Sequence, residues 1–293
     1  MKVLIIGSGG FIGRYLLHHL VSQEIEVVGV SSADNNGIEP HTGILSAQFS
    51  IPPGTEALIY LAQSPYYRQV PEMAPHLLNV NLVSAVKVAD MARQAKVKRF
   101  IYTSTGNVYA PSFQPLAEDA PLSRNNWYAL SKIQAEEALA LFRNDLDITI
   151  ARLFGVYGLS QTDKLIPNLL NSVARGKKVN IQKNPTDADD LDGLKVSFIY
   201  IDDLVKILTN LLLFGNDASY LNIAGDEVIS IRQIGEMIST ILQKEVKLEV
   251  SDLCRQFDLI ADIRLLQNTL KPTFTKFATG IERTITHQLQ SER

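Results

Sequence analysis

A single cysteine, Cys254, stands in this chain of 293 residues. It excludes an internal disulfide framework and fits a reducing compartment. Long apolar runs are also missing. No stretch approaches the roughly 20 apolar residues that span a bilayer; Leu204 to Phe214 is too short and is broken by Lys206, Thr209 and Asn210. The opening run Val3-Leu4-Ile5-Ile6 ends in glycines, which marks a buried strand and not an export signal. The expected location is cytoplasmic. Basic runs are short as well: Lys96-Val97-Lys98-Arg99 reads as the cationic end of a helix, where positive charge offsets the dipole. With a net charge of -3 the chain has no electrostatic footprint for nucleic acid or a membrane surface. No metal site, internal repeat or low-complexity tract is expected.

What is present is the composition of a globular protein with a substantial core, 46% hydrophobic and 20% charged. Val3 to Ile6 reads as a strand, Gly7 to Gly13 as a glycine turn, Phe11 to Val21 as a helix and Glu26 to Val30 as the next strand. This β-turn-α-β order predicts the first unit of a parallel doubly wound α/β sheet. Ser31 to Gly54 is turn-rich. Further strands are expected at Ala57 to Leu61, Phe100 to Ser104 and Asp147 to Ala151, with one long amphipathic helix over Leu77 to Ala95. Alternation persists to about residue 155. Beyond it come shorter pieces: helices over Lys164 to Arg175 and Asp202 to Phe214, strands near Val179, Val196 to Ile199 and Tyr220 to Ile223, and an acidic insertion containing Asp187, Asp189, Asp190 and Asp192. The remainder reads as helical, over Ile231 to Leu242 and Asp262 to Leu270, with a final helix near the C-terminus. The expected division is a dinucleotide-binding domain over 1–155 and a smaller α/β substrate domain over 156–293, with part of the chain crossing back.

The glycine turn does not keep the G-x-G-x-x-G spacing, because its last place is Ile12. Gly7, Gly10 and Gly13 do fit G-x-x-G-x-x-G, with Phe11 and Ile12 between the last two. Glycine is needed there for positive φ, for close approach to a pyrophosphate and for tight helix packing, and the helix that follows presents free N–H groups to phosphates. At the end of the second strand, where an acidic residue bonds the ribose of NAD, stand Ser31 and Ser32. The first carboxylate is Asp34. NAD or NADP is expected, with the balance toward NADP and Arg14 within reach of its extra phosphate.

Asn126 to Lys132 opens a helix that continues over Ile133 to Phe142. Tyr128 and Lys132, four residues apart, share a face of it. A cation beside a phenol lowers the phenol pKa from about 10 toward the range of a general acid or base. Tyr128 is thus the candidate proton carrier and Lys132 its tuner.

Together, Gly7-x-x-Gly10-x-x-Gly13, Tyr128-x-x-x-Lys132 and Thr105 at a strand end resemble the extended short-chain dehydrogenase/reductases, the NAD-dependent epimerases and dehydratases that modify nucleotide sugars. Tyr102-Thr103-Ser104-Thr105-Gly106-Asn107-Val108-Tyr109, Phe198-Ile199-Tyr200-Ile201-Asp202-Asp203-Leu204 and Tyr220-Leu221-Asn222-Ile223-Ala224-Gly225 carry the resemblance over nearly the whole chain, as do Glu118, Asp119 and Pro121. It implies a Rossmann-type fold, Tyr128 exchanging a proton with substrate, Lys132 also bonding the nicotinamide ribose, Thr105 holding the substrate oxygen, and cofactor contacts from Ser31, Ala62, Asn81 and the Phe154-Gly155-Val156 segment. Asp202 reads as a helix cap. A homodimer is expected by analogy alone.

Three departures bear on the reaction. Gly106 and Asn107 replace the Asp-Glu pair of the dehydrating members, which disfavours dehydration. Gly155 replaces an Asn that contacts the substrate diphosphate, and Val196 an Arg that pairs with phosphate; Lys195, Arg255 or Arg68 could compensate. The expected function is epimerisation or ketoreduction of a sugar or nucleotide sugar. The alternatives are reduction of a non-sugar carbonyl and a non-catalytic NAD(P)-binding regulator.

Overall fold

The computed structural model describes residues 1–34 and 36–291, apart from the side chains of 290 and 291. In chain order the elements are β1 (Lys2–Ile6), α1 (Phe11–Ser22), β2 (Glu26–Val30), β3 (Thr55–Tyr60), α2 (Ala74–Leu78), a π-helical turn (Asn79–Ser84), α3 (Ala85–Gln94), β4 (Arg99–Thr105), α4 (Trp127–Ala140) and β5 (Asp147–Leu153). There follow β6 (Gly155–Tyr157), α5 (Leu165–Ala174), β7 (Lys178–Lys183), β8 (Lys195–Tyr200), α6 (Ile201–Phe214), β9 (Tyr220–Ile223), β10 (Val228–Ser230), α7 (Ile231–Leu242), β11 (Lys247–Cys254), α8 (Arg264–Leu270) and α9 (Phe277–Ser291).

The chain forms two units. The first comprises Met1–Ala110, Asp119–Leu153 and Val205–Leu221. Its sheet runs β2-β1-β3-β4-β5-β9, with β1 to β5 parallel in register. The apolar runs of β1, β3 and β4 are buried on both faces, as parallel strands covered by helices require. One apolar cluster joins Leu4, Leu58, Phe100 and Ile148 of the strands to Val88, Ala89 and Ala92 of α3 and Ala135 and Leu139 of α4.

The expected single helix over Leu77 to Ala95 is interrupted by the π-helical turn. The cause lies in the sheet. Tyr60 of β3 and Tyr102 of β4 stack with ring centroids 5.8 Å apart, and their hydroxyls donate to the carbonyls of Val80 at 2.5 Å and Asn81 at 2.8 Å. A widened turn leaves carbonyls without their usual partners, and buried carbonyls need a donor.

The second unit comprises Pro111–Glu118, Phe154–Leu204 and Asn222–Arg293. It holds a three-stranded sheet, β10-β8-β6, and a two-stranded parallel sheet of β7 and β11. The helical expectation for its last part is corrected here: β11 is a strand, whose mostly exposed residues and register shift between Ser251 and Cys254 blur its alternation. The division also differs from a cut at 155. The first unit stops at Leu153 and regains 205–221, whereas the short segment 111–118 belongs to the second. Asp202 is not a cap, since α6 starts at Ile201 and places Asp202 inside its first turn. No helix among the described residues is long and apolar enough to cross a membrane.

Candidate active site

In the first unit, the turn after β1 takes positive φ at Gly7, +93°. A Cβ at Gly7 would lie 2.7 Å from the Ala62 nitrogen, which puts Ala62 against the turn; a Cβ at Gly13 would lie 2.2 Å from the Gly7 carbonyl oxygen. Glycine is therefore obligatory at both places. Gly10 caps α1 without any side-chain hydrogen bond, so the N–H groups of the first turn, Phe11 and Ile12 included, are not taken up by a capping side chain. Such a turn fits a pyrophosphate.

Ser31, at the end of β2, is held by Asp34. One carboxylate oxygen of Asp34 accepts from the Ser31 backbone N–H at 2.6 Å and from its hydroxyl at 2.8 Å. These bonds, the backbone one foremost, hold the Asp34 carboxyl below its ordinary range. The end of β2 thus carries a carboxylate after all, supplied from three residues downstream by a tight turn. Spacing along the chain did not reveal it.

Asn126 caps α4, its side chain accepting from the Ala129 N–H at 2.9 Å. The cap starts the helix at Trp127, so Tyr128, Lys132 and Glu136 fall on one face. Tyr128 is half-buried, its ring 5.6 Å from that of Tyr67. Thr105 ends β4, with its hydroxyl near enough to Tyr128 to pull the phenol pKa down. Its hydroxyl already accepts from the Asn107 backbone N–H at 3.2 Å and from Asn107 Nδ2 at 3.0 Å. A hydroxyl has one proton and two acceptor positions, so Asn107 leaves Thr105 to act as donor to the Tyr128 oxygen. Sequence reasoning noted Asn107 only for what it replaces.

Burial, assisted by Tyr67, pushes the Tyr128 phenol up to about 12 against the pull of the Thr105 hydrogen bond. The expected lowering by Lys132 is not found. Lys132 is buried, donates to the Thr103 carbonyl at 2.8 Å and sits 4.7 Å above the Tyr102 ring. Loss of solvent pushes its ammonium down to about 7, with Glu136 opposing. An amine that is only partly charged near neutrality exerts a weak pull on a phenol. Glu136 is itself locked by a bidentate ion pair with Arg152, at 2.7 Å to Nη2, and Arg152 also donates to the Tyr109 hydroxyl at 2.9 Å.

Asn81 lies in the π-helical turn, wholly buried, donating from Nδ2 to Ser131 Oγ at 2.9 Å. Ser131 precedes Lys132, so Asn81 braces α4; its Oδ1 has no partner.

In the second unit, the two altered phosphate positions prove to be one structural event. Gly155 of β6 faces Phe198 of β8. A Cβ at Gly155 would lie 2.7 Å from Phe198 Cδ1 and 2.8 Å from Val196 Cγ1. Val196 therefore fills the space a side chain at 155 would use, and neither position offers a polar group.

Residues 3–224 match the model of the NAD dependent epimerase/dehydratase family. The chain belongs to this family. It is an enzyme of the extended short-chain dehydrogenase type. It is 26% identical to the UDP-glucose 4-epimerase of Mycolicibacterium smegmatis over 70% of this chain and 71% of the relative. It is 24% identical to the GDP-6-deoxy-D-mannose reductase of Pseudomonas aeruginosa over 84% and 82%. Among solved structures it superposes on MoeE5 in complex with UDP-glucose and NAD, with a TM-score of 0.81, 22% identity and full coverage of both chains. For the UDP-glucose 4-epimerase of Thermotoga maritima with UDP-glucose the TM-score is 0.80 at 20% identity, again with full coverage. The likeness to these structures shows the Rossmann-type fold.

Proposed function

We propose that this enzyme exchanges hydride and proton at a ring carbon of a sugar, with Tyr128 as the acid-base group. The observation that carries the proposal is the convergence on Tyr128 of a hydroxyl aimed by Asn107 and a buried lysine one helical turn away. NAD fits the glycine turn, whose tight closure a Cβ at Gly7 or Gly13 would break against the backbone of Ala62 or Gly7, and Asp34 at the end of β2 suits the free ribose hydroxyls of NAD. An added 2'-phosphate would meet that carboxylate, so Asp34 counts against the NADP that Ser31 and Ser32 suggest. Relatives and neighbours named for UDP-glucose, GDP-6-deoxy-D-mannose and NAD support the sugar and the cofactor.

When bound, NAD supplies the acceptor and donor of hydride. The chain's own residues do the rest. Thr105 orients the substrate oxygen beside Tyr128, an alignment effect. Tyr128 carries its proton at neutral pH, which is the form that delivers it to a carbonyl oxygen; the reverse step takes it back. Lys132, poised near neutrality, lends positive charge to that exchange. Gly106 and Asn107 provide no second carboxylate, so epimerisation or simple ketoreduction is favoured over dehydration. Gly155 and Val196 favour a second reading of the substrate, a sugar that carries no nucleotide diphosphate.

Replacing Tyr128 by Phe is expected to lower turnover of a sugar substrate by about 10²- to 10⁴-fold while NAD still binds. Following nicotinamide absorbance separates the two modes, since a reductase consumes NADH and an epimerase does not. Undiminished turnover in Tyr128→Phe would exclude the mechanism.

A further inference from the structure

The acidic insertion is not used by the redox site. In the second unit it delivers Asp190 to a pair of cations. Asp190 Oδ2 accepts from Arg255 Nη2 at 2.6 Å, from Lys195 Nζ at 2.9 Å and from Asn184 Nδ2 at 3.3 Å. The Asp190 and Arg255 side chains are 6% and 2% exposed. Asp258 already serves Arg255, taking Nε at 2.8 Å and Nη2 at 3.1 Å, and also accepts from the Lys195 backbone N–H at 2.9 Å. Arg255 Nη1 is buried with no hydrogen-bond partner, and the guanidinium lies 5.5 Å from the Phe113 ring centroid.

Two facts make this more than a buried ion pair. Asp258 alone gives Arg255 a bidentate partner, so Asp190 is not needed to neutralise it. A buried arginine with an unpaired Nη1 is costly unless an acceptor reaches it. Of the three cations that could replace the lost phosphate contacts, Lys195, Arg255 and Arg68, the first two lie in the second unit with Gly155 and Val196, and Lys195 adjoins Val196. With Asp190 and Asp258 in place, and with Asp192, shared with Arg232, 3.8 Å from Lys195, the two cations face three carboxylates, and no positive charge is left for a doubly charged pyrophosphate.

We propose that Asp190 sets the charge selectivity of this enzyme: it occupies Arg255 and Lys195 in the place of a substrate pyrophosphate, so that the chain favours sugars without a nucleotide diphosphate. The inference rests on the sugar-redox reading above and names its substrate class. Selectivity built from a repulsive carboxylate is a common device, because like charges in a dry setting discriminate strongly. Although burial pushes the Asp190 carboxyl up, its bonds to Lys195 and Arg255 outweigh that and hold it well below the usual carboxylate range. The repulsion therefore persists across the working pH range.

Calorimetric titration with UDP and with uridine tests the proposal. The wild-type enzyme is expected to bind UDP no more than about threefold tighter than uridine. Asp190→Asn retains the size and the acceptor oxygen but removes the charge, and is expected to bind UDP at least tenfold tighter than wild type, a gain of about 1.4 kcal/mol. Asp190→Ser should show the same gain, and Arg255→Met added to either variant should abolish it. Wild-type preference for UDP over uridine by tenfold or more overturns the proposal, as does UDP binding in both variants within twofold of wild type. Failure of the redox reading shows separately, as absence of NAD binding or as undiminished turnover in Tyr128→Phe.

Discussion

Lys132 shows how far one side chain's surroundings shift its chemistry. Read from the sequence it is a fixed cation; in the fold it is a buried amine whose pKa falls to about 7. An unfolded lysine titrates near 10.4, so between about pH 7 and pH 10.4 the unfolded chain binds more protons than the folded one. Stability from this group therefore rises with pH across that window, and below about pH 7 its burden is fully present. Lys132→Met, which removes the charge and keeps the bulk, is expected to melt on the order of 5 °C above wild type at pH 6. By pH 10 the difference should have largely vanished. A constant difference in calorimetric Tm across that range would show that Lys132 stays charged in the fold. At the same scale, Tyr128, Lys132 and Thr105 were legible because their spacing and strand-end position are local. Asp34 and Asn107 were not, because their effects arise from hydrogen bonds made only after the chain turns back on itself.

At the scale of elements, most strands and helices declare themselves through apolar runs and periodicity, and Glu26–Val30, Tyr220–Ile223 and Ile231–Leu242 fall where the pattern puts them. The break in the long helix does not declare itself. Nothing in Asn79 to Ser84 resembles a helix breaker; the π-helical turn is maintained by tyrosines on β3 and β4. Tyr102→Phe should leave the Asn81 carbonyl without a donor and cost about 1–3 kcal/mol, read as a lower denaturant midpoint with an unchanged m value. A smaller loss would mean that the turn keeps its shape without the sheet. The packing of Val196 over the Gly155 position was equally hidden, since only the β6–β8 register, which sets Gly155 opposite Phe198, brings them together.

For the whole molecule, the order of elements points to two regions divided near 155 with part of the chain crossing back, whereas the chain clusters into two units with several crossings. A segment as short as 111–118 changes unit without any shift in composition to mark it. The glycine turn and the end of β2, proposed to hold NAD, lie in the first unit, which makes ligand binding a selective probe. At NAD concentrations 100-fold above Kd, the folded state should gain about 2.7 kcal/mol. Hydrogen exchange should slow most at the amides of Gly7 to Gly13 and the end of β2. Protection confined to the second unit would place the cofactor elsewhere.

The late return of 205–221 to the first unit has a consequence for synthesis on the ribosome. Strand β5 is complete when Leu153 emerges, but its neighbour β9 follows only after β6 to β8 and α6 have been made. Until then the nascent sheet carries an open edge of unpaired amides and carbonyls, the kind of surface that pairs with other chains. At translation rates of about 5–20 residues per second, that interval lasts for seconds. The early part of this chain is therefore open to such pairing for longer than its own length requires, and a polypeptide ended after Leu153 should aggregate.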